Sequence, residues 1–256
     1  MKKLEPKHTK LLFLSIALVV VMCVGVVYNY KTVGALSNAT TKKLPIYSTD
    51  VKDKKVAITF DTSWGTDYTK EILNVLEKQD VKATFFVIGT WIDDYKEETK
   101  EIHSKGHELG NHSNTHPDMT KISKDKMINE VAVTDAKIME ITGERPTLFR
   151  CPSGSYNDEV IKNIEETNHK IIQWDTDSID WKEKGAEEEY NRVVEKVKPG
   201  SIILFHNNAK YTPENLEKII TKLKGEGYEF VKVSDMIYKD NYYLDHTGKQ
   251  IKNSNE

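Results

Sequence analysis

The chain has 256 residues, with 37 Lys and Arg against 40 Asp and Glu for a net charge of −3. That balance, with no basic stripe, excludes nucleic acid as a partner, and the length suits one domain with appendages. Only two cysteines are present, Cys23 in an apolar run and Cys151 far away in the polar part, so no disulfide framework is expected.

Residues 1–10 carry Lys2, Lys3, Lys7 and Lys10 against Glu5, and Leu11 to Val27 is almost uninterruptedly apolar. This asymmetry predicts a cytosolic N-terminus and a membrane-spanning helix over residues 11–30, with Tyr28 and Tyr30 at its interfacial end. The rest of the chain then works outside the cytosol as a single-pass membrane protein. A signal peptide cleaved near Val33-Gly34-Ala35, giving a secreted protein, is the other reading; the length of the run favours the anchor. Residues 31–53 are polar and read as a linker.

From Lys55 a repeated alternation begins. Lys55 to Phe60 reads as a buried strand. Tyr68 to Gln79 reads as a helix with Ile72, Leu73 and Leu76 inward and Thr66 or Asp67 as its cap. Ala83 to Ile88 is a second strand, Asp94 to His103 a helix, and His107 to Asn111 a third strand. Ser123 caps a long helix that Gly143 closes. Thr147 to Arg150 is a fourth strand, and Asn157 caps the helix after it. Lys170 to Trp174 is a fifth strand, Glu187 to Val197 a helix, and Ser201 to Phe205 a sixth strand. Thr212-Pro213 opens a helix that Gly225 and Gly227 break. Tyr228 to Val233 is a seventh strand, and Ser234 caps a last short helix. The alternation predicts a parallel α/β sheet over residues 54–240, open or closed into a barrel. Residues 241–256 lack periodicity and read as a loose polar tail.

His112 and His116 stand four residues apart, the spacing that brings two side chains to one side of a helical turn. Neutral imidazole is the commonest ligand for zinc and similar ions. Other reactive residues fall just past strand ends: Asp61 after the first, Arg150 at the end of the fourth, Asp175, Asp177, Asp180 and Trp181 after the fifth, and His206 after the sixth. Reactive groups of parallel sheets collect at the C-terminal ends of strands. Singly each has an ordinary reading, as a helix cap, a surface cation or a satisfied turn histidine. Jointly they point to one mouth.

Thr59-Phe60-Asp61, His112-Ser113-x-x-His116-Pro117, Arg150-x-Pro152-x-Gly154-Ser155, Asp177-x-x-Asp180-Trp181 and Leu204-Phe205-His206 have the order and spacing of five motifs of the polysaccharide deacetylases. The stretch from Lys54 to Tyr238 resembles this NodB-homology family, carbohydrate esterase family 4. Asp61-Thr62-Ser63-Trp64-Gly65 resembles its sporulation-associated, PdaB-like subgroup. The resemblance implies a distorted (β/α) barrel of about seven parallel strands. It implies a hydrolase that removes N-acetyl groups from amino sugars of a cell-wall polysaccharide, peptidoglycan or a chitin-like glycan. By the same resemblance His112 and His116 hold a divalent metal, zinc, and Asp61 is the general base. His206 is then the general acid, Arg150 orients Asp61, and Asp177 supports His206. Trp181 helps wall the site, and a backbone N–H near Ser153 helps stabilise the oxyanion. The family's first motif carries a second aspartate as third metal ligand. Here that position is Thr62, so metal binding is expected to be weak, and a wall-glycan binder with little or no activity is the alternative. Ser153 stands where many members have tyrosine. An esterase acting on O-acetyl groups would share the machinery.

Overall fold

The computed structural model describes residues 19–23 and 42–253. Residues 19–23 are helical, and most of the expected span 11–30 lies outside the described residues. Among the described residues no helix is long and apolar enough to cross a membrane. The remainder, from Lys43, forms one compact unit.

Its elements, in chain order, are β1 (Ser48–Thr49), β2 (Lys55–Thr62), α1 (Thr69–Lys78), β3 (Thr84–Val87), α2 (Gly89–Asp94), α3 (Lys96–Ser104), β4 (Glu108–Asn111), α4 (Lys124–Thr142), β5 (Leu148–Phe149), α5 (Asp158–Glu165), β6 (Lys170–Ile171), β7 (Thr176–Asp177), α6 (Ala186–Val194), β8 (Ile202–His206), α7 (Thr212–Gly225), β9 (Glu229–Phe230), α8 (Val233–Met236), β10 (Tyr242–Leu244) and β11 (Lys249–Lys252). Strands β6-β5-β4-β3-β2-β8-β7 lie side by side in that order, all parallel, and β9 pairs with the start of β2. This is an α/β fold with a curled half-barrel of seven parallel strands.

The expected fifth strand, 170–174, is shorter, and a further strand follows it. Residues 170–171 pair with β5 on one edge, and residues 176–177 pair with β8 on the other. The four residues between them bridge the two edges, which is how the sheet curls without a continuous closing strand. The expected helix 94–103 is α3, and a separate short helix, α2, precedes it across Tyr95.

Strand β2 is buried on both faces, as a central parallel strand should be. On its outer face Phe60 stacks on Phe85 at 4.7 Å and packs near Phe205 at 5.9 Å, under the inner stripes of α1 and α7. On its inner face Ala57 joins Phe86, Ile172 and Ile202 beneath α8. Ser123 and Asn157 cap their helices through side-chain oxygens, and Gly143 ends α4 at φ 78°.

Two boundaries need correction. The linker expected over 31–53 ends earlier: Ile46 bridges Ile172, and β1 pairs with β11. The expected loose tail, 241–256, contains a hairpin of β10 and β11 that forms a three-stranded sheet with β1. Asp245 supplies its turn, accepting from the amides of Thr247 and Lys249.

Candidate active site

The register of the sheet builds the site. Asp61 on β2 and His206 on β8 are Cα partners across adjacent strands, and both sit at C-terminal ends. Both line a groove of about 590 Å³ with His112, His116, Ser153, Asp177 and Trp181. Strand ends at one mouth thus bring together the expected residues except Arg150, which is fully buried, and Asp175 and Asp180, which do not line the groove.

Arg150 is clamped from every side. Its guanidinium donates to Asp61 Oδ1 at 2.8 Å, to Thr59 Oγ1 at 2.9 Å and to the carbonyl of Gln173 at 3.2 Å. It lies 4.1 Å over the Phe86 ring. The expected pairing of Arg150 with Asp61 is present. Burial pushes the Asp61 carboxyl up, but the neighbouring His112, Arg150 and His206 outweigh it and hold the group below its usual range. Arg150 carries the permanent charge of that set.

His112 is fully buried. Burial takes its pKa down to about 4, so it is neutral at pH 7. Its Nδ1 lies 2.8 Å from the Arg150 carbonyl, which can only accept, so the ring proton sits on Nδ1. That leaves the Nε2 lone pair facing Asp61 Oδ2 at 3.5 Å, with no hydrogen-bond partner in the protein. Two electron-rich atoms this close, buried and without a proton between them, form a seat for a cation. The His116 ring lies 5.0 Å from that of His112, and burial lowers its pKa too.

The two histidines do not share a helical turn. They sit in a loop with Ser113 at φ 68° and His116 at φ 58°. The loop is tied from below: Glu130 of α4 accepts from the amides of Asn114 and Thr115 and from the Thr115 hydroxyl. Asn111 anchors its start, accepting from the Ser113 amide and donating to Val131 and Asp135.

A metal ion's fit can be tested on these donors. His112 Nε2 is a preorganised ligand whose other nitrogen is already fixed, the usual arrangement at metal centres. His116 is a second neutral donor. Thr62, at the position where the motif's second aspartate is the third ligand, is fully buried, and its Oγ1 also lacks a partner. Among the described residues no three His, Cys, Asp or Glu side chains are grouped to hold a metal ion. The donors fit a divalent cation held by two imidazoles, short of one anionic ligand.

His206 is held by Asp180, and the expectation for Asp177 is corrected here. Asp180 Oδ1 lies 2.7 Å from His206 Nδ1, and Oδ2 accepts from the His206 amide at 2.6 Å. Burial pulls the His206 pKa down, but the Asp180 carboxylate more than offsets it, and the pKa lies above its usual value. Asp177 instead lines the groove and accepts from the Ile179 amide. The cause is backbone: Ile179 at φ 55° turns the chain into a short 3₁₀ segment that buries Asp180. Behind Asp180, Thr212 Oγ1 stands 3.1 Å from Asp180 Oδ2 and 3.2 Å from Glu189 Oε1. Burial, then the Asp180 charge, push Glu189 up to about 7. Glu189 is buried in α6 while its neighbours Glu187 and Glu188 are exposed, a difference that a run of three glutamates does not announce.

Residues 48–172 match the polysaccharide deacetylase family. The peptidoglycan-N-acetylmuramic acid deacetylase PdaA of Bacillus subtilis is 31% identical over 208 residues, 80% of this chain and 79% of that one. A carbohydrate esterase family 4 pseudoenzyme from Bacillus anthracis is similar in structure, with a TM-score of 0.73 and 34% identity over 83% of this chain and 73% of that one. A mutant of that pseudoenzyme with restored enzymatic activity matches at 0.73 and 38% identity, covering 75% of this chain and 71% of that one.

Proposed function

The chain belongs to the polysaccharide deacetylase family, and from that premise we propose that it removes N-acetyl groups from amino sugars of a cell-wall glycan, peptidoglycan or chitin-like, by metal-assisted hydrolysis. The same reading has it working outside the cytosol from a membrane anchor in residues 11–30. The Asp61–Gly65 run supports a place in sporulation. One observation carries the chemistry: Asp61, its carboxyl held below the usual range, and His206, its pKa raised by Asp180, face one groove from adjacent strands.

Asp61 Oδ1 is committed to Arg150, so Oδ2 is the free oxygen that takes a proton from the attacking water. Asp180 fixes the His206 proton on Nδ1, and the protonated ring delivers its second proton, from Nε2, to the departing nitrogen. The turn at Ser153 faces the groove. Its Gly154 and Ser155 amides are already bonded to Cys151 and Pro152, so the Ser153 amide is the donor we assign to the developing oxyanion. His112 Nε2 and His116 would hold the divalent ion, zinc by family resemblance, which when bound polarises the acetamide carbonyl and acidifies water. Trp181, 59% exposed at the rim, offers a face to the sugar.

The test is acetate release from purified peptidoglycan and from chitin oligomers, with metal content measured alongside. The wild type releases acetate, while Asp61→Asn and His206→Ala do not and keep the metal content of the wild type. Full turnover in either variant refutes the roles.

A second reading rests on Thr62. A protein with the groove intact and the ion weakly held binds wall glycan and turns it over slowly or not at all. The similarity to a family pseudoenzyme favours it. Glycan binding without acetate release, under saturating zinc, would select it.

A further inference from the structure

Behind the acid stands a second carboxyl that the proton transfers do not touch. Asp180 and Glu189 are both buried, and one hydroxyl lies between them: Thr212 Oγ1 is 3.1 Å from Asp180 Oδ2 and 3.2 Å from Glu189 Oε1. A carboxylate only accepts, and a hydroxyl has a single proton to give. With both carboxyls ionised, the Thr212 proton could serve only one of them. The hydrogen bonds close when one carboxyl carries a proton of its own.

The surroundings decide which one. Asp180 accepts from His206 Nδ1 at 2.7 Å, from the His206 amide at 2.6 Å and from the Trp181 amide at 2.8 Å. Such donors favour the ionised form. Glu189 has Thr212 and the flanking Asn215, whose Nδ2 also donates to the Ala186 carbonyl. Its Oε2 is buried with no partner, which penalises a carboxylate more than a neutral carboxyl. The charges around Glu189 are Asp180 across the hydroxyl, and Lys184 and Glu188, which pair with each other at 3.1 Å. Toward β7, Arg192 is turned to the Asp177 carbonyl, and α7 buries the uncharged Thr212 and Asn215 here. Protonated, Glu189 donates to Thr212 Oγ1, and Thr212 donates to Asp180. When Glu189 ionises, the Thr212 proton turns to it, so Asp180 loses a donor and gains a negative neighbour. Both changes strengthen the grip of Asp180 on the His206 proton.

We propose that Glu189 is a positioning residue of the acid half: through Thr212 and Asp180 it tightens the hold of His206 on its proton as Glu189 ionises, and so keeps the acid loaded on the alkaline side. This rests on the reading of His206 as the general acid. Burial and the Asp180 charge push Glu189 up to about 7, so the exchange falls in the range where an unaided imidazole discharges.

The test is an NMR titration of the His206 ring in the full chain in detergent, with chelator present, for the wild type, Glu189→Gln and Glu188→Gln. The wild-type ring signal should show two steps, its own and a smaller one from Glu189. Glu189→Gln keeps a neutral donor for Thr212 and removes the ionisation. One step should remain, with a proton affinity about threefold or more below that of the wild type. Glu188→Gln removes a charge of the same helix that has no part in the line, and should leave both steps in place. Acetate release from peptidoglycan, followed against pH with zinc added, should fall away at lower pH on the alkaline side in Glu189→Gln. A single wild-type step, a Glu189→Gln curve superimposed on the wild type, or an equal displacement by Glu188→Gln overturns the proposal. If the ring titrations behave as stated and the alkaline limb does not move, the line from Glu189 stands and the reading of His206 as the acid falls. If the wild type releases no acetate, the deacetylase reading falls, and the ring titrations still decide whether Glu189 governs His206.

Discussion

On one side of the groove each reactive group is answered by a partner. Asp61 has Arg150, and Arg150 has Thr59 and Gln173; His206 has Asp180, and Asp180 has Thr212. On the other side, His112 Nε2 and Ser63 Oγ are buried without a partner; Thr62 Oγ1 is unpartnered as well but does not line the groove. Buried polar atoms are normally satisfied, so the protein alone does not complete this half. The hydrogen-bonded half is nearly closed, with Glu189 Oε2 left over at its far end, and the imidazole half is open to a cation. A fold that keeps the first while trimming the ligands of the second separates catalytic electrostatics from ion affinity.

The largest break in the comparison comes from Arg150. It is fully buried, and its removal leaves the Asp61 carboxylate without its permanent counter-charge. Arg150→Gln should cost about 3–5 kcal/mol of stability in urea denaturation, the usual toll for one member of a buried pair. A loss under ~1 kcal/mol would show that water reaches the pair and that the floor is not sealed.

Glu189 tests how complete the proton-transfer half is at its far end. Protonated, Glu189 can donate to Thr212 Oγ1, which then donates to Asp180, so one line of hydrogen bonds runs back from His206. The sign follows from a carboxyl raised in the fold. The cost of Glu189 is absent below its unfolded pKa of 4.5, grows up to about 7, and is constant above. Glu189→Gln lacks that cost. Its stability relative to the wild type should therefore rise between pH 4 and pH 8 by up to about 3 kcal/mol. A difference that does not move with pH would mean that Glu189 ionises freely.

Thr62→Asp acts on the unfinished half. It should raise divalent-ion affinity at least about tenfold, ~1.4 kcal/mol. Without the ion it should lower the melting temperature, because two carboxylates then meet in a buried place. The readout is the rise in melting temperature on adding zinc, small in the wild type and large in the variant. Equal rises would mean that residue 62 faces away from the imidazoles, in keeping with its absence from the groove lining.

Legibility followed the same divide. β2 and β8 were readable because buried parallel strands are continuous apolar runs, and their register places Asp61 beside His206 without further information. The separation of β6 from β7 was not, since Ile171, Ile172 and Trp174 read as one strand although pairing with β5 stops at Ile171. The β10–β11 hairpin was hidden by its polar residues, although Asp245 to Gly248 is turn chemistry. Within the site, spacing gave the residue types but not their orientation. The positive φ of His116 and Ile179 is tertiary, imposed by Glu130 under one loop and by the Asp180–His206 contact beside the other. Neither residue type announces it.

The choice between Asp177 and Asp180 is the smallest effect and the sharpest check on that point. Two aspartates three residues apart both sit near His206, and both raise its pKa, but Asp180 alone bonds the ring. The His206 pKa is raised in the fold, so its stabilising contribution is full below the unfolded value of 6.5 and is lost as pH rises through the folded value. Asp180→Asn removes the charge and the hydrogen bond, so the His206 titration in NMR should move clearly to lower pH. Stability should drop most below pH 6.5, where the wild-type pair is intact, and the deficit should shrink as pH rises through the folded value. Asp177→Asn should move the same titration by a fraction of that, since its carboxylate acts through space and faces the water of the groove. Equal shifts from the two variants would dissolve the distinction between the aspartate that bonds the acid and the one that lines the wall.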